Sequence, residues 1–331
     1  MTAGLQIEGV IFRRCTIAAF VAVLPTFFAQ PARAQDVIRV DTELAAFEVA
    51  VTDRDGKPVS GLTAEDFKIF ENGREQEVAF LQPMIDGNVR RPMLVVFALD
   101  VSGSLTPAEL ERLRSAMSQF IDRLAHPNAY FAVTTFARNV KRRQAFTNRA
   151  DRIRRSMENI ERDRDGLSTH AYDAVDDAVR LIDRRAPKVV RGERPKRAVV
   201  VITDGFPVGD VVAASTVIER ANDAGVSVYS IILPSYSRAV GVDRPLLTPF
   251  EASGLVRRTG GVSLYASDDS LDAIFTAMAE RIAASYAIAY YPDERAAAVE
   301  EFRNVRVEAG QGLTVKQNRP GFRLDKNGRP Q

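Results

Sequence analysis

Asp100, Ser102 and Ser104 occupy alternate positions directly after the apolar run 93–99. Three oxygen side chains so spaced, on the loop leaving a buried strand, are the start of a hard-cation site. Two further stretches carry the same chemistry. One is Asp165-Gly166-Leu167-Ser168-Thr169, ahead of an amphipathic segment that begins near Ala171; the other is Asp204-Gly205, directly after the apolar run 198–203. From these loops Asp100, Asp204, Ser102, Ser104 and Thr169 offer two carboxylates and three hydroxyls, with neither nitrogen nor sulfur, and such a donor set suits Mg²⁺, Ca²⁺ or Mn²⁺. Two carboxylates balance a divalent charge while hydroxyls donate weakly. The ion would therefore stay electrophilic enough to accept an acidic ligand from outside.

The elements that must position these loops alternate between apolar strands and amphipathic helices. Residues 93–99 form a continuous apolar run, as a strand buried on both faces requires. Thr106-Pro107-Ala108-Glu109 then reads as an N-cap, a proline at the first helical position and a capping-box glutamate. Leu110, Leu113, Met117, Phe120, Ile121 and Leu124 follow on one helical stripe. Strands are predicted over 130–136, 198–203, 226–233 and 262–265. Helices are predicted around Ile153, Met157 and Ile160, around Ala171, Val175, Ala178 and Ile182, over roughly 212–224, and on Leu271, Ile274, Phe275, Met278 and Ile282. This alternation over 92–284 predicts an α/β fold with a doubly wound, mostly parallel sheet, in which ligands bind at the carboxyl ends of the strands.

The flanks read differently. Residues 35–91 alternate in short strand-like runs separated by Arg54-Asp55-Gly56 and Glu71-Asn72-Gly73, which are hairpin signals. After Ser285 strands return over 286–291, 302–307 and 313–316. Neither flank is long enough for a substantial core of its own. The expectation is that 35–91 and 285–331 pair into one β-sandwich, with the α/β domain inserted between them.

Residues 1–34 carry a different message. Arg13 and Arg14, the apolar stretch 16–24 and the tripeptide Ala32-Arg33-Ala34 form the basic, apolar and cleavage regions of a secretory signal peptide. The apolar stretch is short for a membrane span. Export to the periplasm or the medium is expected. The one cysteine, Cys15, falls within that segment, so the rest of the chain has no disulfide and no thiolate metal site. Removing 1–34 takes away Arg13, Arg14, Arg33 and Glu8, which turns the net charge of +2 into an even balance. Such a balance gives a nucleic-acid partner no electrostatic footing.

The loops together resemble the von Willebrand factor type A (VWFA) domain and its metal-ion-dependent adhesion site, whose signature is D-x-S-x-S, a later threonine and a strand-end aspartate. Asp100, Ser102 and Ser104 match the first element, Thr169 the second and Asp204 the third. The resemblance implies a Rossmann-like fold over 92–284. It also implies a divalent cation, Mg²⁺ first with Mn²⁺ or Ca²⁺ as alternatives. By the same resemblance the two serines and Thr169 reach the metal directly or through water, and Asp100 and Asp204 act mostly through water. Along its whole length the chain is similar to secreted bacterial VWFA-related proteins of acidobacterial type, through VTDRDGKPVSGLTAEDFKIFENG before the domain and YAIAYYPD, FRNVRVE and RPGFR after it. It departs from the pattern at Leu167-Ser168, where Gly-Gly usually precedes the threonine.

The function so implied is adhesion or assembly, with the metal coordinating an Asp or Glu of a partner protein and without catalysis. Two other classes stand beside it. Asp100 at a strand end could be a phosphoryl-transfer nucleophile, yet Ser102 stands where a haloacid-dehalogenase-like motif has its second aspartate, and there is no G-x-x-x-x-G-K-[ST] loop or G-x-S-x-G elbow. The other class is a structural envelope protein with a vestigial metal site. The remaining polar features have plainer readings: His170 as loop surface, His126-Pro127 as a helix stop, Tyr286, Tyr290 and Tyr291 as sandwich packing, and the arginine-rich stretch 138–164 as a solvated, salt-bridged face.

Overall fold

A computed structural model describes residues 44–103, 107–161, 163, 168–233, 247–266, 271–292, 301–324 and 330. The expected export segment, Ser104, the capping residue Thr106 and residues 165–167 lie outside them.

The chain enters through β1 (Ala45–Thr52), whose residues alternate strictly between buried and half-buried, as a strand with one face on a core must. β2 (Phe67–Glu71) and β3 (Arg74–Gln76) form a hairpin across Asn72-Gly73, both with positive φ as a tight primed turn requires. β4 (Phe80–Pro83) and a small hairpin of β5 (Ile85–Asp86) and β6 (Val89–Arg90) complete the entry.

The α/β part begins with β7 (Met93–Asp100), in which every residue is buried. It continues through α1 (Pro107–Leu124), β8 (Ala129–Phe136), β9 (Val140–Thr147), α2 (Ala150–Glu158), α3 (Ala171–Arg185), β10 (Lys196–Thr203), α4 (Ala214–Asp223) and β11 (Val226–Ile232). The short helices α5 (Pro249–Ala252) and α6 (Leu255–Arg258), then β12 (Ser263–Tyr265) and α7 (Leu271–Ala283), close it. The sheet order is β12-β11-β10-β7-β8-β9, parallel throughout except for β9, which runs antiparallel to β8. One sheet face is covered by the predicted stripe of α1 with α7, where Phe97, Phe120 and Phe275 meet edge to face. The other face packs α3 and α4 through Val175, Ile182, Val217 and Ile218.

β9 and the pair α5 and α6 were not anticipated. Strand β9 reads VKRRQAFT, which is polar on both faces apart from its end, because it is an edge strand blunted by charge. Its arginine-rich surroundings form the expected ion-paired face, with Arg155 and Arg149 on Asp151, and Arg154 on Asp122.

After α7 the chain returns through β13 (Ser285–Tyr290), β14 (Arg303–Ala309), β15 (Thr314–Gln317) and β16 (Gly321–Phe322). These strands interleave with the N-terminal ones in two four-stranded sheets, β15-β1-β13-β4 and β16-β14-β2-β3. β13 pairs with β1 from Ala45–Tyr290 to Ala50–Ser285, and β14 pairs with β2. Phe47, Phe67, Ile69, Tyr286, Tyr290, Val305 and Phe322 fill the space between the sheets, so Tyr286 and Tyr290 are packing residues while Tyr291 is exposed. A buried ion pair ties the second sheet across its middle: Arg303 donates to Glu71 at 2.7 Å with both side chains almost fully covered.

Removing one partner of a buried ion pair leaves an uncompensated charge and costs about 3–5 kcal/mol, whereas replacing both with apolar groups costs far less. Urea denaturation should therefore show Glu71→Ala losing stability on that scale and the double variant Glu71→Leu/Arg303→Met recovering most of it.

Candidate metal centre

β7 lies in the middle of the sheet, and its neighbours set where a ligand can bind. From β7 the chain crosses through α1 to β8 on one side; from β10 it crosses through α4 to β11 on the other. The loops leaving β7 and β10 thus diverge, opening a crevice at the switch point of the sheet. The parallel register sets Ile202 against Leu99, which brings Thr203 level with Asp100 at the carboxyl edge.

Asp100 is buried, with 2% of its surface exposed. Its Oδ1 accepts the backbone N–H of Ser102 at 2.9 Å, and its Oδ2 accepts the hydroxyl of Thr203 at 2.8 Å. That hydroxyl accepts in turn the N–H of Gly205 at 3.1 Å, so one buried threonine links the first and third loops. Asp204 is also buried, its Oδ1 accepting the N–H of Phe206 at 3.1 Å. Gly205 turns the chain with φ +84°, and a Cβ there would stand 2.6 Å from the Thr248 hydroxyl oxygen, so the α5 cap leaves room for glycine alone. Burial pushes the Asp100 carboxyl up to about 6; hydrogen bonds from Ser102 pull against that rise, and the charge of Asp204 adds to it.

Thr169 comes from the other side. It exchanges two backbone hydrogen bonds with Val208, at 3.0 and 2.9 Å, in an isolated bridge between the second and third loops. Asp173, in the first turn of α3, fastens the same loops by accepting the N–H groups of Val211 and Val212. Its other neighbour is His170, whose Nδ1 lies 3.0 Å from Asp173 Oδ2. The surface-loop reading of His170 is therefore corrected: the ring is largely covered and held between Asp173 and Gly209, where a Cβ would stand 2.8 Å from Nε2. His126 follows the end of α1, and its Nδ1 accepts the Asn128 N–H at 3.4 Å.

The structure thus brings Asp100, Ser102 and Asp204 to one edge and fixes Thr169 to the loop that follows Asp204. Ser104 lies outside the described residues. Among the described residues the Thr169 hydroxyl bonds neither carboxylate, so its donor atom is available to a ligand. These residues fit a hard divalent cation. Every candidate donor is oxygen, and the two buried aspartates repel each other in a way that a cation between them would relieve.

Sequence reasoning missed Thr203, Asp173 and Thr248. The signal for Thr203 is its place as the one polar residue ending an apolar strand, next to Asp204.

Comparison with known proteins decides the family. The von Willebrand factor type A domain family matches residues 95–239, from β7 to beyond β11. This stretch is a von Willebrand factor type A domain. The type A match covers the crossover helices and both aspartates, while the sandwich strands fall outside it. Matrilin-1 of Bos taurus is 30% identical over 160 residues, which is 46% of this chain and 28% of that protein, so the chain spans little more than a quarter of this relative. Solved structures with likeness to the chain include an aerotolerance-related membrane protein of Bacteroides fragilis, at 19% identity and TM-score 0.44 over 57% of this chain and 98% of that one. Proximal thread matrix protein 1 of the mussel byssus, in a form with a zinc-occupied MIDAS motif, is 18% identical with TM-score 0.46 over 60% of this chain and 47% of that one.

A carboxyl group whose folded pKa lies above its unfolded one makes the folded state take up protons, so stability falls as pH rises from about 4 through about 6. In EDTA, thermal unfolding of the wild type should lose about 3 kcal/mol across that window on account of Asp100. In Asp100→Asn this part of the slope should vanish; equal slopes in both proteins would remove the burial argument.

Proposed function

We propose that the chain is an exported protein-binding module in which Asp100, Ser102, Ser104, Thr169 and Asp204 hold a divalent cation, Mg²⁺ by preference, with Mn²⁺ or Ca²⁺ as alternatives. The ion takes an Asp or Glu side chain of a partner protein, giving adhesion or assembly without turnover. The single observation that carries this reading is the pair of buried carboxylates, Asp100 and Asp204, on diverging loops at the switch point, with hydroxyl donors beside them. Two carboxylates neutralise the ion, and hydroxyls leave it able to accept a third acid.

In this reading each of the chain's own groups has a separate task. Asp100 is oriented by Ser102 and Thr203, so its carboxylate needs no rearrangement when a cation arrives. The Thr169–Val208 bridge and the Asp173 staple hold the second loop against the third, which keeps the donor spacing from drifting. When bound, the metal supplies an electrophilic centre for the partner's carboxylate. His170 is engaged through Nδ1 with Asp173, which adds to the hold of the second loop on the third.

Two further points belong to the same proposal. Residues 92–284 act as the recognition unit, carried on a sandwich of 35–91 and 285–331, and residues 1–34 direct export to the periplasm or the medium. No described helix is long and apolar enough to cross a membrane.

Calorimetric titration of the full chain with MgCl₂ and MnCl₂ tests the site. Saturable binding in wild type, weakened at least about tenfold in Asp204→Ala, is the expected result; equal affinity in that variant would sink the ligand assignment. Retention of an acidic partner that is lost in EDTA and in Asp204→Ala would extend the test to recognition.

A further inference from the structure

At the amino edge of the central sheet, opposite the aspartates, a cavity of about 380 Å³ lies between strands β1 and β13 of the sandwich and the segment leading into β10. Its charged lining is unbalanced. Arg91, Lys188, Arg194, Arg197 and Arg319 meet Glu48, Asp183 and Asp223. Most of that negative charge is already engaged. Glu48 is held by Arg91 and approached by Lys196 at 3.6 Å, both cations being 2% exposed, and Asp183 is bound by Lys188 at 2.7 Å.

Three guanidinium groups are left without an ion pair among the described residues, Asp183 and Asp223 acting on Arg197 and Arg319 only at longer range. Arg194 makes no ion pair and no side-chain hydrogen bond among the described residues. Arg197 donates to the carbonyl of Ala224 at 2.8 Å. Arg319 donates to the carbonyl of Ala46 at 3.0 Å and lies over the Phe47 ring, yet its Nε is buried with no hydrogen-bond partner. Burial and the neighbouring Arg194 press the Arg319 guanidinium down to about 10, and Arg194 and Arg197 are likewise lowered by burial. Like charges drawn together along the wall and mouth of a cavity, with the buried Arg319 Nε aimed at nothing, are the complement of an absent anion.

We propose that this cavity binds a small organic anion, its carboxylate or phosphate group placed among Arg194, Arg197 and Arg319 and its apolar part against Leu44 and Phe80. The volume falls in the range of small-molecule sites, about 300–1,000 Å³. Planar guanidinium forks recognise both oxyanions in bidentate fashion, so the shared chemistry is that of an oxyanion. The cavity is walled by both the sandwich and the type A domain, so the ligand would join the two. It would be bound whether or not a metal occupies the opposite edge.

The full chain in EDTA, titrated calorimetrically with inorganic phosphate and separately with succinate, tests this. Saturable binding of at least one anion is expected, weakened tenfold or more in Arg194→Gln and in Arg197→Gln, and unchanged in Asp100→Ala. The tighter of the two anions identifies the ligand class. Arg194 is exposed and takes part in no packing pair, so its variant keeps the fold. No saturation below about 10 mM for either anion, or wild-type affinity in Arg194→Gln, would overturn the proposal. Because metal is absent throughout, failure here would leave the aspartate site untouched, and failure of that site would leave this one standing.

Discussion

The hydrogen bond from Thr203 to Asp100 is the constraint on which the carboxyl edge of the sheet depends. A carboxylate at the end of a strand buried on both faces must find donors, since an unpartnered one in that setting costs several kcal/mol. Thr203 supplies one because the parallel register sets it level with Asp100, and the same hydroxyl accepts the Gly205 amide. The turn carrying Asp204 is therefore tied to the strand carrying Asp100 through a single oxygen. Sheet register, loop geometry and the spacing of the two carboxylates are one linked property, and shifting β10 by one residue against β7 would separate all three.

A second level of organisation lies at the opposite edge. The sandwich and the type A domain meet through charge as well as apolar packing. Glu48 of β1 faces Arg91, which leads into β7, and Lys196, which opens β10. The two strands that hold the aspartates at one end are thus anchored at the other end by one sandwich carboxylate. Within the sandwich the Arg303–Glu71 pair does the same for β14 and β2, strands that come from opposite ends of the chain. Paired burial of this kind adds little net stability, yet it penalises wrong registers heavily. It suits strands that must find partners across more than 200 residues of intervening sequence.

Much of this was legible in the sequence, for reasons that differ by element. β7 and β10 carry unbroken apolar runs, 93–99 and 198–202, and β11 is apolar but for two buried serines, because a parallel strand covered by helices on both faces favours apolar residues. α1 and α3 announce themselves by a stripe at helical period. β9 is invisible by the same logic, since an edge strand with VKRRQAFT has no apolar face to show. The helices α5 and α6 are four residues each, too short for periodicity to register. At the site, Asp100 and Asp204 were readable as oxygen ligands at strand ends. Thr203 and Asp173 were not, because what makes them matter is a contact between residues 103 and 38 apart in sequence. His170 misled for the converse reason: a lone histidine in a polar loop carries no trace of the glycine, Gly209, against which its ring packs.

The distance between the two edges bears on how the halves work together. β7 and β10 each run eight residues, so at about 3.3 Å per residue their ends lie roughly 23 Å apart. Ions in solution screen charges over less than half that length at physiological strength. Direct electrostatic influence of the arginine cluster on the aspartates is therefore small, and coupling between them would have to be mechanical. The strands are poor levers for it, being buried on both faces and packed by helices that leave no slack. The loops are better ones. Val208 and Val211 are exposed on the loop that the Thr169 bridge and Asp173 hold in place, so a partner pressing there would act on the donor spacing without deforming the sheet. The rigid element of the molecule is the sheet that separates its two edges, and what responds to a ligand at either edge is the loop layer on that side.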